Sequence, residues 1–100
     1  MKIPEDGYLL RIFIGESDKE PGRDRPLYEA IVRRAREAHL AGATVLRGIE
    51  GFGAKQHLHS TRILSLSSDL PVLIEVVDQE DRVRAVLPEL DAMVGEGLIT

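Results

Sequence analysis

Apolar residues fall into three short runs that predict strands: residues 8–14 (YLLRIFI), 43–49 (ATVLRGI) and 70–77 (LPVLIEVV). Each run is rich in β-branched or aromatic residues, which favour extended backbone, and each is bounded by glycine or polar turn residues. A fourth run, residues 98–100, follows the glycine-rich segment 95–97 and predicts a very short last strand. The pattern therefore gives four strands.

Two other segments carry apolar residues at helical spacing. The first apolar stripe consists of Leu27, Ile31, Ala35 and Ala38, and the second of Val83, Val86, Leu87, Leu90 and Met93. On the first segment, Arg33, Arg34 and Arg36 fall outside the stripe and are typical of a solvated face with partners such as Glu37. The pattern therefore gives one helix after the first strand and one after the third.

The helix ends can also be predicted from residue types. Asp24 or Arg25 is expected to cap the first helix, with Pro26 in its first turn, where a missing N–H costs little. Gly42 is expected at its C-terminal cap. For the second helix, Asp78 is the expected N-cap, and Pro88 inside the stripe should kink or split the helix.

The predicted order is strand, helix, strand, strand, helix, strand. This order is typical of the ferredoxin-like split β-α-β-β-α-β sandwich, an α+β fold with a four-stranded antiparallel sheet and two helices on one face. We expect residues 1–100 to form one domain of this kind. Strands with one wet face should alternate apolar and polar residues, yet the first and third strands scarcely do. Another copy of the chain is therefore expected on the second face, in closed cyclic symmetry.

Composition narrows the function classes. The 100-residue chain has a formal net charge of -4, no cysteine and no apolar run near the roughly twenty residues of a spanning helix. These features argue against a duplex nucleic-acid partner, a disulfide framework and a thiolate metal site. The first ten residues contain acidic groups and a proline, unlike a signal peptide, so a cytoplasmic protein is expected.

Glycines in two loops are the first candidate binding residues. Gly51 and Gly53 flank Phe52, and such a segment lets backbone N–H groups approach an anion closely. Gly95, Glu96 and Gly97 form a similar but weaker motif. An ordinary glycine-containing turn explains either motif equally well when it is taken alone.

Metal binding and catalysis have less support in the sequence. His57 and His59 lie two residues apart, so both imidazoles of an extended segment would face one side. Two ligands are too few for a tight zinc site, so the pair is only a weak metal candidate. Glu16 and Asp18 could be paired carboxylates, but a polar turn accounts for them, and the loop serines form no recognisable nucleophile constellation. We therefore expect a protein that is not an enzyme and has no catalytic residues.

Several motifs taken together resemble one family. The segments GATVLRGIEGFGAKQH (residues 42–57), LPVLIEVVDQED (residues 70–81) and GEG (residues 95–97) resemble the PII signalling proteins in order and spacing. The match is closer to a PII-like branch of unassigned function, since Gly15-Glu16, the PLYE helix start and the RGIxGFG loop are all present. The resemblance covers nearly the whole chain.

The resemblance implies a ferredoxin-like homotrimer that binds adenine nucleotides in clefts between subunits and has a mobile loop that docks on a partner. By motif match, Thr44 would hydrogen-bond the base with Gly42 and Ala43 beside it. Gly51, Phe52 and Gly53 would line the cleft. The segment Gly95, Glu96 and Gly97 would offer backbone N–H groups to phosphate.

The chain departs from the best-known PII pattern at several positions. Ala54 and Leu98 stand where that pattern has a phosphate-binding arginine and lysine, and the loop has no tyrosine for uridylylation. Lys55 and Arg47 could replace part of the lost charge, which favours AMP or ADP over ATP.

The sequence thus predicts a PII-like regulator that needs no cofactor, binds AMP or ADP and signals through the loop of residues 54–69 to a membrane transporter or an enzyme. A metal-binding trimer that uses His57 and His59 is the alternative.

Overall fold

The computed structural model describes residues 7–52, 59–60 and 69–100, the pair 59–60 by its backbone alone. Its elements are β1 (Gly7–Gly15), α1 (Leu27–Glu37), β2 (Gly42–Arg47), β3 (Glu50–Gly51), β4 (His59–Ser60), β5 (Pro71–Gln79), α2 (Glu80–Val94) and β6 (Leu98–Ile99). The predicted order of four strands and two helices is confirmed. The short pair β3–β4 was not predicted.

The main sheet has the strand order β2-β5-β1-β6, and all three pairings are antiparallel. The central pair is long and regular, with Ile12 opposite Ile74 and Gly15 opposite Pro71. β3 and β4 form a separate two-stranded sheet. This is the ferredoxin-like α+β arrangement that the sequence predicted.

Both helices pack on the same face of the sheet. Period-two alternation places one set of β1 and β5 side chains there, where they meet the helix stripes in a single core. The largest fully buried side chains are Ile12, Ile31, Ile74, Val76 and Leu90. Of the predicted stripe residues, Ala38, Leu87 and Met93 are only partly buried, while Ala30 and Val94 are buried instead.

The opposite face of the sheet, called here the open sheet face, is also largely apolar. Along each strand, the residues of this face alternate with the buried residues of the helix-covered face. Its apolar side chains are Leu9, Phe13, Leu46, Leu73, Val77 and Leu98. Phe13 is 41% exposed and Leu46 48% exposed, because no element in the described part of the chain packs against them. The structure therefore shows an apolar sheet face, uncovered by the described elements, on which the sequence predicts a second copy of the chain.

The ends of α1 differ from the prediction. Pro26 occupies the N-cap position and no side chain caps the helix, so the expected cap at Asp24 or Arg25 was wrong. At the other end His39 takes the left-handed conformation with φ 58°, and its N–H bonds the carbonyl of Arg36. The N–H of Leu40 bonds the carbonyl of Ala35, which completes a Schellman motif.

Gly42 was therefore wrongly predicted as the C-terminal cap of α1, since it is the first residue of β2. Histidine is one of the few residue types, besides glycine, that enters the left-handed region readily. His39 thus takes the left-handed capping position that was predicted for Gly42.

The start of α2 also differs. β5 continues through Asp78 to Gln79, so Gln79 is the N-cap residue and the predicted cap at Asp78 was wrong. Asp78 is buried, and its carboxylate accepts a hydrogen bond from the N–H of Ala41, at 2.9 Å, which joins the start of β2 to the end of β5. Pro88 does not split α2, which is continuous from Glu80 to Val94.

Among the described residues, no helix combines the length and the apolar character needed to cross a bilayer.

An ion pair joins the outer surfaces of the two helices. The Arg34 guanidinium donates to both carboxylate oxygens of Glu89, with 2.8 Å between Nη2 and Oε1. This hydrogen bond lowers the pKa of Glu89 below its usual value near 4.5, and the same bond raises the pKa of Arg34.

We expect Arg34→Gln to raise the pKa of Glu89 toward its usual value, because the charged hydrogen-bond donor is lost. A carboxylate whose pKa is lowered in the folded state stabilises the fold at pH above its unfolded pKa. This contribution disappears as the pH falls through the folded pKa. Carboxyl ¹³C NMR titration of both proteins measures the shift, and equal Glu89 titration curves would show that the pair does not form in solution.

The turn between α2 and β6 contains two glycines with different roles. Gly95 has φ 59°, a left-handed conformation with open space around its missing side chain. Gly97 is crowded, since an added Cβ would lie 2.7 Å from the carbonyl oxygen of Phe13 and 2.5 Å from Val94 Cγ1. The close approach of this turn to β1 thus needs a glycine at position 97.

We expect Gly97→Ala to lower the free energy of unfolding by about 1–3 kcal/mol, the usual cost of overpacking a close contact. Gly42→Ala is the matched control, because its added methyl group would meet nothing within 4 Å. Urea denaturation of both variants provides the comparison. Similar losses of stability in the two variants would contradict the packing role of Gly97.

Candidate functional site

Three of the predicted nucleotide-binding residues lie on β2, at an edge of the main sheet. Gly42, Ala43 and Thr44 pair with Val77, Val76 and Glu75 of β5, and all three are exposed. Thr44 is on the open sheet face, since it lies directly opposite Glu75. The predicted base-binding hydroxyl therefore belongs to the face that the helices leave uncovered.

Thr44 is one end of a polar row that crosses three strands. Next to it is Glu75 of β5, and beyond Glu75 is Arg11 of β1, with 3.1 Å between Arg11 Nε and Glu75 Oε2. Apolar residues flank this row on both sides along the open sheet face. The sequence analysis did not select Arg11 and Glu75, although a single acidic residue inside the apolar run LPVLIEVV was a signal for them.

The glycines after β2 pack on one proline. The N–H of Gly48 donates to the carbonyl of Pro71 at 2.7 Å, and an added Cβ on Gly48 would lie 2.8 Å from Pro71 Cγ. Gly51 is similar, with 3.1 Å to the same atom. The two glycines therefore allow the β3–β4 pair to pack close to the start of β5. The sequence analysis selected Gly51 as a binding residue but did not select Gly48.

Phe52, the aromatic residue of the predicted loop motif, is 70% exposed, and Ile49 before it is 75% exposed. Both lie beside β3, at the same end of the sheet as Gly51. The base of the loop thus presents apolar side chains to solvent.

Arg47, at the end of β2, forms an ion pair with Glu16. The N–H of Glu16 donates to the carbonyl of Leu70 at 2.8 Å, so this carboxylate is held where β1 ends. A phosphate at Arg47 would have to share the guanidinium with Glu16.

The two carboxylates weighed as a catalytic pair have separate structural partners. Glu16 binds Arg47, and Asp18 accepts a hydrogen bond from the N–H of Gly15 at 2.9 Å within its own turn. Asp69 accepts another from the N–H of Ser17 at 2.9 Å. The interpretation as a polar turn accounts for these residues.

The turn with Gly95, Glu96 and Gly97 lies at the opposite edge of the sheet, where β6 pairs with β1. The N–H of Gly97 already donates to the carbonyl of Val94 at 3.1 Å, and Glu96 is exposed. The phosphate role that the resemblance implied for this turn would therefore depend on groups other than the Gly97 N–H.

The structure does not bring the two groups of predicted residues together within one chain. β5 and β1 separate β2 from β6. Three inter-strand spacings amount to roughly 14 Å. The residues predicted to bind the base and the turn predicted to bind phosphate thus sit on opposite edges of one sheet.

Some predicted residues lie outside the described part of the chain, namely Gly53, Lys55 and His57. His59 is described only by its backbone, which pairs with Gly51. Among the described residues, no group of three or more metal-ligating side chains could hold an ion. The metal hypothesis therefore remains an expectation from the sequence.

Known proteins resemble this chain in sequence and in structure. It is 38% identical over 92 residues to a UPF0166 protein of Aquifex aeolicus, covering 92% of this chain and 85% of that protein. It is 37% identical to a UPF0166 protein of Methanocaldococcus jannaschii, covering 91% and 82%.

The fold is also found in a solved structure, that of CPII, a nitrogen regulatory PII-like protein from Thiomonas intermedia K12, bound to ADP, AMP and bicarbonate. The TM-score is 0.57 at 16% identity, and the alignment covers 94% of this chain and 84% of that one. At this identity the likeness shows a shared fold.

The family model described as DUF190 (Uncharacterized ACR, COG1993) matches residues 7–100. Together with the two UPF0166 relatives, this match shows that the chain belongs to the DUF190 (UPF0166) family.

Proposed function

We propose that this protein is a PII-like regulator without enzymatic activity, which forms a homotrimer and binds AMP or ADP in clefts between its copies. A flexible loop after β3 would carry the signal to a transporter or an enzyme. The fold and the structural neighbour support the proposal, since that neighbour is described as a nitrogen regulatory PII-like protein and was solved with ADP, AMP and bicarbonate.

The observation that carries the proposal is the position of the predicted residues on the two edges of one sheet. Thr44 is on β2 at one edge, and the turn of Gly95 and Gly97 precedes β6 at the other. A second copy that places its own β6 edge near β2 would bring the two groups together. The site proposed here would therefore require assembly.

The open sheet face supports such an assembly. Its apolar side chains would leave water when copies pack against it, which favours association by about 25 cal/mol for each Å² of apolar surface buried. Closed cyclic oligomers are a usual way for copies of one chain to cover such a face. We propose three copies on the strength of the PII resemblance.

Within the cleft, Thr44 and the neighbouring Glu75 present a hydroxyl and a carboxylate side by side. A hydroxyl can donate and accept, while a carboxylate accepts, so the pair suits the exocyclic amine and ring nitrogens of adenine. Arg47 lies at the loop end of β2 on the helix side of the strand, opposite Val72, and would supply positive charge to a phosphate that reaches past the end of the strand. Gly42 and Ala43 would leave room beside the base.

The signal would pass through the loop that starts at Gly51 and Phe52. Gly48 and Gly51 pack the base of this loop against Pro71, so a ligand bound beside β2 would act on a closely packed loop base. Ordering of a segment by a bound ligand is a common regulatory device. Exposed Phe52 and Ile49 would be available to a docking partner.

We expect sedimentation equilibrium at micromolar concentration to give a mass three times that of the chain. Phe13→Asp should shift the protein toward monomer, because a charge would be buried without a partner on the open sheet face. Ile49→Asp is the control, since Ile49 is more exposed and lies outside the main sheet.

Circular dichroism should confirm that both variants fold. A monomeric wild-type protein would exclude the assembly, and so would a folded Phe13→Asp variant that keeps the wild-type mass.

We also expect calorimetry to detect binding of AMP or ADP, and Thr44→Val to weaken it at least about tenfold, or about 1.4 kcal/mol. Valine has nearly the shape of threonine and suits a strand, so the variant removes the hydroxyl with little effect on the fold. Val45→Thr is the matched control, because it makes the reverse change on the other face of β2.

The outcomes separate the parts of the proposal. A trimer that binds no adenine nucleotide would exclude the ligand and leave the assembly standing. Equal affinities of wild type and Thr44→Val would exclude Thr44 as a base-binding residue. Gly97 variants are unsuitable for this test, because their expected loss of stability would mask any effect on phosphate.

A further inference from the structure

Positive charge is concentrated on α1 and the turn before it, although the whole chain has a net charge of -4. Residues 23–37 contain five arginines against Asp24, Glu29 and Glu37, which gives this stretch a net charge of +2. The arginines are Arg23, Arg25, Arg33, Arg34 and Arg36. Such a segregation of charge points to an anionic partner.

Three of these arginines line a groove between α1 and β2. The groove encloses about 420 Å³, and its floor is formed by Tyr28, Val32 and Val45. Arg25, Arg33 and Arg36 stand around this floor together with a single acid, Glu29. The groove thus offers apolar surface framed by an excess of two positive charges.

The arginines at the groove are weakly engaged within the chain. Arg33 Nε is 3.7 Å from Glu37 Oε1, with both side chains well exposed, and Arg25 Nη1 is 3.9 Å from Glu20 Oε2. Arg36 forms no ion pair with any residue that the structure describes. The exposed Arg33–Glu37 pair contributes little stability, so a bound carboxylate can replace it at small cost, whereas the Arg25–Glu20 pair is partly buried.

The spacing of the residues in the groove floor favours a bound peptide in an extended conformation. Tyr28 and Val32 are four residues apart on one helix, a separation of about 6 Å along the axis. Alternate residues of an extended chain repeat every ~6.7 Å, so two of them can rest on Tyr28 and Val32 in succession. The residues between would face away from the floor, and the exposed side chains of Arg33 and Arg36 would extend above the floor to pair with them.

We propose that this α1–β2 groove binds an extended segment of a partner protein in which acidic and apolar residues alternate. Apolar side chains would lie on Tyr28, Val32 and Val45, and carboxylates would pair with Arg33 and Arg36. Val45 and Thr44 are on opposite faces of β2, so the groove is on the helix side and separate from the proposed nucleotide cleft. The proposal holds whether or not a nucleotide binds.

The test uses fluorescein-labelled octapeptides with four Glu-Val repeats or, as the charge control, four Lys-Val repeats. Fluorescence anisotropy at low salt should show binding of the Glu-Val peptide at least tenfold tighter than that of the Lys-Val peptide. Added salt should weaken it, because rim charges are screened.

Arg33→Glu with Arg36→Glu should weaken binding of the Glu-Val peptide at least tenfold, and Val32→Glu should do the same by removing the apolar floor. Lys19→Glu with Arg84→Glu is the matched control, since it makes the same change in net charge at residues outside the groove. This control should lower the affinity by less than threefold. Circular dichroism of each variant checks that the fold is intact.

Three results would overturn the proposal. The first is equal affinity for the two peptides, and the second is equal loss of affinity in the groove variant and the control variant. The third is binding to phosphatidylserine vesicles, lost in the groove variant, with no binding of the Glu-Val peptide. That last result would assign the arginines to a membrane surface.

Discussion

The two central strands are apolar on both faces, and this constraint shapes the rest of the molecule. β1 and β5 pair over nine residues, and their alternation sends Ile12, Ile74 and Val76 into the helix-covered core. The same alternation places Leu9, Phe13 and Leu73 on the open sheet face. Two helices cover one face of such a sheet, so the second face calls for a cover from outside the described chain.

The candidate site follows from how the edges of this sheet are made. Thr44 is accessible because it lies on the open sheet face, and its strand β2 also has a free edge, since among the described strands it pairs only with β5. Glycine at positions 48, 51 and 97 allows close contacts with Pro71 and with the backbone of Phe13. Gly51 and Gly97, which were predicted to bind a ligand, therefore have a packing role. A ligand that binds there would contact backbone whose position these packing contacts already fix.

The element order and the fold class could be predicted because strand and helix periodicities are properties of local sequence. The helix caps could not be predicted in the same way. Asp78 does not cap α2, because its carboxylate accepts a hydrogen bond from Ala41 across the sheet. His39, and not Gly42, takes the left-handed conformation at the end of α1. For the candidate site, the motifs selected Thr44. They did not select its neighbours Arg11 and Glu75, because only the register of β1, β5 and β2 aligns the three residues.

The polar row gives a physical reason for binding and assembly to be coupled. In the isolated chain, water solvates Arg11, Glu75 and Thr44 at the centre of the open sheet face. Copies packed on this face would remove that water, and buried charges are tolerated only where every group has a hydrogen-bond partner. A ligand that bonds to Thr44 or Glu75 would supply such a partner. By linkage it would then stabilise the assembled state to the same extent that assembly tightens its own binding.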